Sequence, residues 1–387
     1  MVAPPPVTRM GMGRLWPRVV ATCLVVFVLL TLYISDRYQL RHNLFSLRKD
    51  NFQRDLDHID DILEVSYARS PAAPHRDKFV GSKPLFPPCE NGIPPGIPAW
   101  GPNPHLGPFN FSNKSKNPCW YQRNSDEELQ FLCVPYGFLA GISKSGTSDL
   151  FFRISKHPDF INIKKEFHWF DRERYYYNST FFQYANSFQG LAEQIENDLQ
   201  TSGKSQKITM DGSPSYFYDS YEWLRFSGNE GCSEPRVILP SHIYHLNPRV
   251  KIILIFRHPV QRLYSRFLFD WGRNKSCQTY LTPEKFHEDV VDGLEKFLTC
   301  FKSQSLRYCV YDKTLRDSVN MVEPLDHAKM TWVLAQQPKN KGVHTVSAGP
   351  MLPETRKILE TFYKPFIQRF ASMVGDDKFL WKDNVYI

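Results

Sequence analysis

The chain has 387 residues, a formal net charge of +8 and eight cysteines, with no internal repeat and no Cys/His cluster of zinc spacing. A repeat array and a structural zinc module are thereby excluded. The positive charge suits solubility in an acidic lumen or attraction to a polyanion, and charge alone does not separate a phosphorylated nucleotide or sulfated glycan from nucleic acid.

Residues 19–35 form an uninterrupted apolar run centred on Leu24, Val25, Val26, Phe27, Val28, Leu29 and Leu30. At the α-helical rise it just reaches across a hydrocarbon core of roughly 30 Å when the flanking residues snorkel. Arg9, Arg14 and Arg18 precede it and no small-x-small cleavage site follows, so an uncleaved signal-anchor is expected. Arg37, Arg41, Arg48 and Lys49 on the far side blur the charge asymmetry. Orientation rests instead on sequons at Asn110, Asn113, Asn178 and Asn274 and on seven cysteines, all beyond the run. The expected organisation is a cytoplasmic tail over 1–18, a transmembrane signal-anchor over 19–35, a stem and Pro-rich linker over 36–118, and a lumenal globular domain over 119–387. With lumenal sequons and an anchor, nucleic acid is not the expected partner. Seven cysteines is an odd number, so at least one is free or pairs between chains. Cys300 and Cys309 are the candidates for a local bridge, and a disulfide-linked or non-covalent homodimer stays open.

Short β-like runs alternate with helical patterns through the globular part. Residues 136–140 predict a strand, followed by a Ser/Gly/Thr loop and a helix over 147–156. Residues 207–210 predict a second strand, ending in Asp211-Gly-Ser-Pro. Residues 251–256 are a continuous apolar run of the kind buried on both faces of a parallel sheet. This alternation argues an α/β fold with a parallel sheet, whose ligands bind at the carboxyl ends of the strands. Residues 354–375 form an amphipathic helical region with Ile358, Leu359, Phe362, Phe366, Ile367 and Phe370 inward, kinked or divided at Pro365.

Gly141-Ile-Ser-Lys-Ser-Gly-Thr-Ser148 lies between the first strand and its helix. Small residues let the backbone curl so that amides converge on an anion at a helix N-terminus, and Lys144, Ser145, Gly146, Thr147 and Ser148 supply charge, donors and curvature. An ordinary Ser/Gly turn capping a helix has the same composition. The lysine precedes Gly146, unlike the nucleoside-triphosphatase loop. A second signature, Arg257-His-Pro-Val-Gln-Arg-Leu-Tyr-Ser265, follows the 251–256 run. Pro259 suits a first helical position, and Val260, Leu263, Tyr264, Phe267 and Leu268 repeat as a core stripe. Arg257, Arg262 and Ser265 then stand beside a helix start as a second phosphate site. No strand-end Asp follows Phe256 to hold Mg²⁺, which counts against a nucleotide kinase. His242 and His245, three apart on an expected helix, read as structural.

These two motifs resemble the 5′-phosphosulfate loop and the 3′-phosphate motif of sulfotransferases. Together with Lys165-Glu-Phe-His-Trp-Phe-Asp171 and Asp211-Gly-Ser-Pro-Ser-Tyr-Phe217, they resemble the Golgi glycosaminoglycan sulfotransferases, over about residues 131–301 and again from about 350. In wording the chain is similar to the N-acetylgalactosamine 4-sulfate 6-O-sulfotransferases. The resemblance implies a P-loop-like three-layer sulfotransferase fold with a central parallel sheet, after an N-terminal transmembrane helix, in the Golgi membrane as a type II protein. It implies 3′-phosphoadenosine 5′-phosphosulfate as co-substrate, no metal, and a sulfated glycosaminoglycan acceptor. By the same resemblance Glu166 is the base, His168 the alternative base, Lys144 the group that stabilises the departing phosphate, and Lys341, in Lys341-Gly-Val-His-Thr345, part of a basic loop over the nucleotide. The chain departs from the family in two places. Gly212 stands where heparan 3-O-sulfotransferases carry a Lys, and a buried strand expected between Tyr308 and Gly349 is not evident. A non-catalytic glycan- or nucleotide-binding relative, or a shortened inactive isoform, therefore stays open beside the active enzyme.

Overall fold

The computed structural model describes residues 49–69, 79–80, 83–84, 109–123, 127–226, 229, 231–273, 281–318 and 348–382. The apolar run at 19–35, most of the Pro-rich stretch, Asn274 and the loop containing Lys341 lie outside the described residues. Among the described residues no helix is long and apolar enough to cross a membrane. The described residues up to His58 belong to one compact unit, helical over 49–57, and the described residues from Ile59 onward belong to another.

The second unit opens with helix α1 (Ile59–Ala68). A hairpin of β1 (Cys119–Arg123) and β2 (Leu129–Cys133) follows, its ends joined by the Cys119–Cys133 disulfide. Next come β3 (Gly137–Gly141), α2 (Thr147–Ile154), α3 (Gln189–Ser202), β4 (Met210–Asp211), α4 (Leu239–Leu246) and β5 (Lys251–Leu254). Helices α5 (Pro259–Arg273), α6 (Pro283–Ser303), α7 (Leu306–Tyr311) and α8 (Pro353–Val374) follow. Cys300 at the end of α6 is bridged to Cys309 in α7, as the spacing suggests, and Cys232 is also disulfide-bonded.

Strands β4, β3 and β5 form a parallel sheet in that order, so an α/β architecture with β3 central is the frame of the site. Every residue of β3 is buried, and Gly137 permits the close strand approach: a Cβ there would lie 2.8 Å from the carbonyl oxygen of Lys251. The strand buried on both faces is thus β3 rather than 251–256. In β5, Lys251 and Ile252 are exposed and Ile253 and Leu254 half-buried, because among the described residues β5 pairs on one side only. The second strand is likewise shorter than its apolar pattern. Ile208 exchanges main-chain bonds with Asp159 and Ile161 instead of β3, leaving only Met210 and Asp211 in the ladder.

An aromatic core built from Phe138, Phe167, Trp169, Phe170, Tyr184 and Tyr216 lies behind the central strand. Most of its rings meet edge-to-face or tilted, as Phe170 and Tyr216 do at 5.5 Å and 86°, while Trp169 and Tyr184 stack at 5.2 Å and 21°. The stripe on α5 falls as its periodicity requires, with Val260, Leu263, Tyr264, Phe267 and Leu268 all buried. Helix α8 runs through Pro365 as one element rather than two, with Leu359 and Phe362 buried. Ile358, Phe366, Ile367 and Phe370 are only half-buried there.

Candidate active site

Strands β3 and β5 are parallel neighbours, so the loops that follow them emerge at the same edge. Their main chains remain joined beyond the ladder, with Ile255 N–H donating to Gly141 O at 2.8 Å and Ile142 N–H donating to Ile255 O at 2.9 Å. This register brings the two anion signatures together: Arg257 Nη1 donates to the carbonyl oxygen of Lys144 at 3.4 Å. From α5, Arg266 Nη1 donates to Ser143 Oγ, also at 3.4 Å. Arg262 and Ser265 lie on the half-buried side of α5, away from its core stripe.

The turn after β3 is curled by two left-handed residues, Lys144 (φ 68°) and Gly146 (φ 93°), the latter capping α2. Only glycine adopts that conformation freely, which is why Gly146 occupies the step into the helix. The first-turn amides of α2 have no intrahelical acceptor and face the turn. Ser145 is buried, and its hydroxyl has no hydrogen-bond partner among the described residues. A buried orphan donor beside helix N-terminal amides fits an anionic group with several acceptor oxygens, such as a phosphosulfate. The ammonium of Lys144 lies over the Phe269 ring, 3.9 Å from its centroid. Among the described residues no group of His, Cys, Asp and Glu could hold a metal ion.

The segment 165–171 approaches the same turn from the other side. Lys165 Nζ donates to Ser148 Oγ at 3.1 Å and is ion-paired with Glu166 Oε1. Glu166 Oε2 lies 3.2 Å from His168 Nε2, and His168 Nδ1 lies 3.2 Å from Asp171 Oδ2. Ser215 Oγ donates to Asp171 Oδ2 at 2.5 Å and stands 3.1 Å from His168 Nδ1. His168 is thus a buried imidazole between two carboxylates, in a left-handed conformation with φ 53°. Burial disfavours its charge, but Asp171 and the hydrogen bond it donates to Glu166 outweigh that, and its pKa is raised to about 9. Burial alone would push Glu166 upward. The bond to His168 and the charges of Lys165 and His168 prevail, holding its carboxyl down to about 2. Asp171 is also held below the ordinary carboxylate range, against burial, chiefly by His168 and Arg172.

Beneath this line the loop after β4 fixes the backbone. Ser213 Oγ accepts from the N–H groups of both Phe167 and His168 at 2.9 Å, and donates to Asp211 Oδ1 at 2.6 Å. Asp211, fully buried, also accepts from the hydroxyls of Tyr184 and Tyr216 at 3.0 Å. Burial raises its pKa despite these donors. Gly212 has no room for a side chain, since a Cβ would lie 2.7 Å from Phe151 Cδ2 and 3.0 Å from Lys165 Cγ. The group that reaches the loop from this side is Lys165.

Lys144, Ser145, Gly146, Thr147, Ser148, Arg257, Glu166 and His168 are therefore gathered around the ends of two adjacent strands, whereas Lys341 lies outside the described residues. Motif reading left Lys165, Asp171, Ser213 and Ser215 without roles. Their signal was present in the alternate serines of Asp211-Gly-Ser-Pro-Ser215 and in the carboxylate three residues after His168, but only the fold brings those groups face to face.

No protein-family model matches the chain. It is 27% identical to carbohydrate sulfotransferase 15 of Homo sapiens over 378 aligned positions, covering 71% of this chain and 66% of that protein. It is also 27% identical to membrane-associated sulfotransferase kil1 of Dictyostelium discoideum, covering 58% of this chain and 46% of that one. With heparan sulfate glucosamine 3-O-sulfotransferase 5 of Mus musculus it shares 24% identity, over 47% of this chain and 43% of that one. The chain thus spans 66% of the length of the human relative. With the two anion motifs side by side on one parallel sheet, the chain is similar in sequence to the carbohydrate sulfotransferases.

Proposed function

We propose that this protein is a carbohydrate sulfotransferase with the three-layer sulfotransferase fold, moving a sulfuryl group from 3′-phosphoadenosine 5′-phosphosulfate onto a sugar hydroxyl of a glycosaminoglycan. What supports the reading above all is the hydrogen-bonded junction of the two anion motifs, Arg257 to the Lys144 carbonyl, with the Glu166 carboxylate tied to the same turn through Lys165 and Ser148. One motif holds the 5′-phosphosulfate: Ser145, Gly146, Thr147 and Ser148 give donors, and Lys144, moved from the Phe269 ring, balances the charge that grows on the departing phosphate oxygen. The other, Arg257 with Ser265, holds the 3′-phosphate, and Lys341, outside the described residues, is the further nucleotide-binding cation of this reading. Glu166 takes the acceptor proton as the sugar oxygen attacks sulfur in line with the leaving phosphate, and His168 orients that carboxylate.

The finer assignment is O-6 of N-acetylgalactosamine 4-sulfate in chondroitin or dermatan sulfate. It rests on similarity in wording to enzymes of that specificity and on the human relative. The proposed location is the Golgi membrane, as a single-pass type II protein with the catalytic domain lumenal, consistent with exposed sequon residues Asn110, Asn113 and Asn178. Incubation with labelled donor and a panel of sulfated and desulfated glycosaminoglycans tests both levels. Label should enter 4-sulfated chondroitin at O-6, and no incorporation into any acceptor would sink the enzyme reading. Glu166→Gln should lower turnover by about 10²–10⁴-fold while adenosine 3′,5′-bisphosphate still binds; unchanged turnover would refute the base.

One observation favours a second reading, a nucleotide- or glycan-binding relative that transfers nothing. Strand β5 stands at the margin of the described sheet with Ile252 45% exposed, a poor backing for a loop that must be held rigid. Nucleotide binding without label transfer would select it.

A further inference from the structure

The cation at the centre of the site is Lys165, to which motif reading gives no role. Its ammonium bridges two elements with opposite duties, donating to Ser148 Oγ in the first turn of α2 at 3.1 Å and pairing with Glu166 Oε1. The side chain is 19% exposed, and its position is built in rather than adopted at a surface. The Lys165 carbonyl accepts the Gly212 N–H at 2.6 Å, and the stem fills the space above Gly212, where a Cβ would stand 3.0 Å from Lys165 Cγ. Phe151 closes the other side of that space. An ammonium has three N–H donors, and Ser148 and Glu166 account for two. The third is open to a ligand lying between the anion turn and the carboxylate.

We propose, building on the function proposed above, that Lys165 is a catalytic residue that contacts the equatorial oxygens of the sulfuryl group during its transfer. The new bond joins the acceptor oxygen to sulfur, and the bond from sulfur to the 5′-phosphate oxygen breaks with its electron pair leaving on that oxygen. The hydroxyl proton goes to the Glu166 carboxylate, and nothing is oxidised or reduced. A cation already seated between donor loop and base meets the moving charge without reorganising. It also couples the two partners. Before the donor arrives, Lys165 neutralises Glu166 and makes it a weak base. Once sulfuryl oxygens share the ammonium, the carboxylate regains basicity at the moment an acceptor can be used.

The test compares two nucleotides that differ only in the sulfuryl group, on the full chain and on its Lys165→Met variant. The variant should bind 3′-phosphoadenosine 5′-phosphosulfate about tenfold more weakly, bind adenosine 3′,5′-bisphosphate within about twofold of the parent, and turn over about 10²–10³-fold more slowly. The acidic limb of its rate profile should also move to higher pH, because Glu166 has lost a neighbouring positive charge. Equal weakening of both nucleotides would assign Lys165 to the architecture of the turn and overturn the proposal, as would turnover within about threefold of the parent. If the parent chain binds neither nucleotide, the underlying function is wrong, a result reached before any variant is made. Lys165→Gln, which keeps a polar side chain of similar reach, carries the same comparison if the methionine variant does not fold.

Discussion

His168 shows how much of this site is decided by single side chains. An imidazole that keeps its proton up to about 9 cannot accept one from a sugar at neutral pH, so of the two candidate bases only Glu166 is ionised and free of a proton. His168 instead acts as a cationic clamp between Glu166 and Asp171. Its unfolded pKa is the lower one, 6.5, so the clamp stabilises the fold fully below pH 6.5, and that contribution is lost as pH climbs through 9. The difference corresponds to at most about 3 kcal/mol. Urea unfolding at pH 6 and pH 9.5 should therefore show a drop in stability that His168→Gln abolishes, and turnover should fall along an alkaline limb near 9. A flat profile in the parent chain would remove the clamp. Asp211 makes a second case. Asp211→Ala strips a shared acceptor from two buried tyrosine hydroxyls and from Ser213, with an expected cost of about 2–4 kcal/mol, read as a lowered denaturant midpoint. Glu166 and Lys144 were legible in the sequence because each sits in a short motif. Lys165, Ser213 and Asp211 were not, because their contacts join separate segments: Lys165 reaches Ser148 in another element, Asp211 reaches Tyr184, and Ser213 reaches the amides of Phe167 and His168.

Among the elements, the strands were readable by position and misread by rank. The apolar run at 251–256 has the stronger pattern, yet the strand at the centre of the described sheet is Gly137–Gly141, whose small residues score poorly as β-formers. Glycine wins there because the neighbouring backbone comes so close. Gly137→Ala would place a methyl group 2.8 Å from Lys251 O and 3.4 Å from Met210 Cε, so β3 and β5 must part. The expected cost is about 1–3 kcal/mol by overpacking. The two anion turns hang from these strands, so affinity for adenosine 3′,5′-bisphosphate should fall together with the unfolding midpoint. A destabilised variant that binds the nucleotide unchanged would show that the turns are held by their own contacts, Arg257 to Lys144 and Arg266 to Ser143, rather than by strand register. The helices were more legible, since the α5 stripe and the Cys300–Cys309 bridge depend on local spacing. The continuity of α8 through Pro365 was not, because a proline that breaks an isolated helix is tolerated where the flanking turns pack on a core.

At the scale of the whole molecule, the stretch before the Pro-rich segment has the polar, sparsely apolar composition of a stem, and nothing local distinguishes a stem helix from a docked one. The fold does distinguish them. Helix α1 lies in the same compact unit as the parallel sheet and packs on α6, α7 and α8. Ile59 and Leu63 are almost fully buried, Ser66 Oγ donates to Gln304 O at 2.9 Å, and Arg69 Nη1 donates to Lys302 O at 2.8 Å, closing the carboxyl end of α6. The guanidinium of Arg369 in α8 stacks over Tyr67, 3.6 Å from the ring centroid. Removing α1 would uncover the faces of α6 and α8 that Ile59, Leu63 and Tyr67 cover. Two buried aliphatic side chains alone correspond to about 3–6 kcal/mol. A chain beginning at residue 70 should therefore unfold at a clearly lower denaturant concentration than one beginning at residue 59. It should also lose turnover only in proportion to its unfolded fraction, because the helices on which α1 packs, α6, α7 and α8, are not the elements that carry Ser148 and Glu166. Equal midpoints would mean that α1 is a stem after all, resting against the domain without holding it.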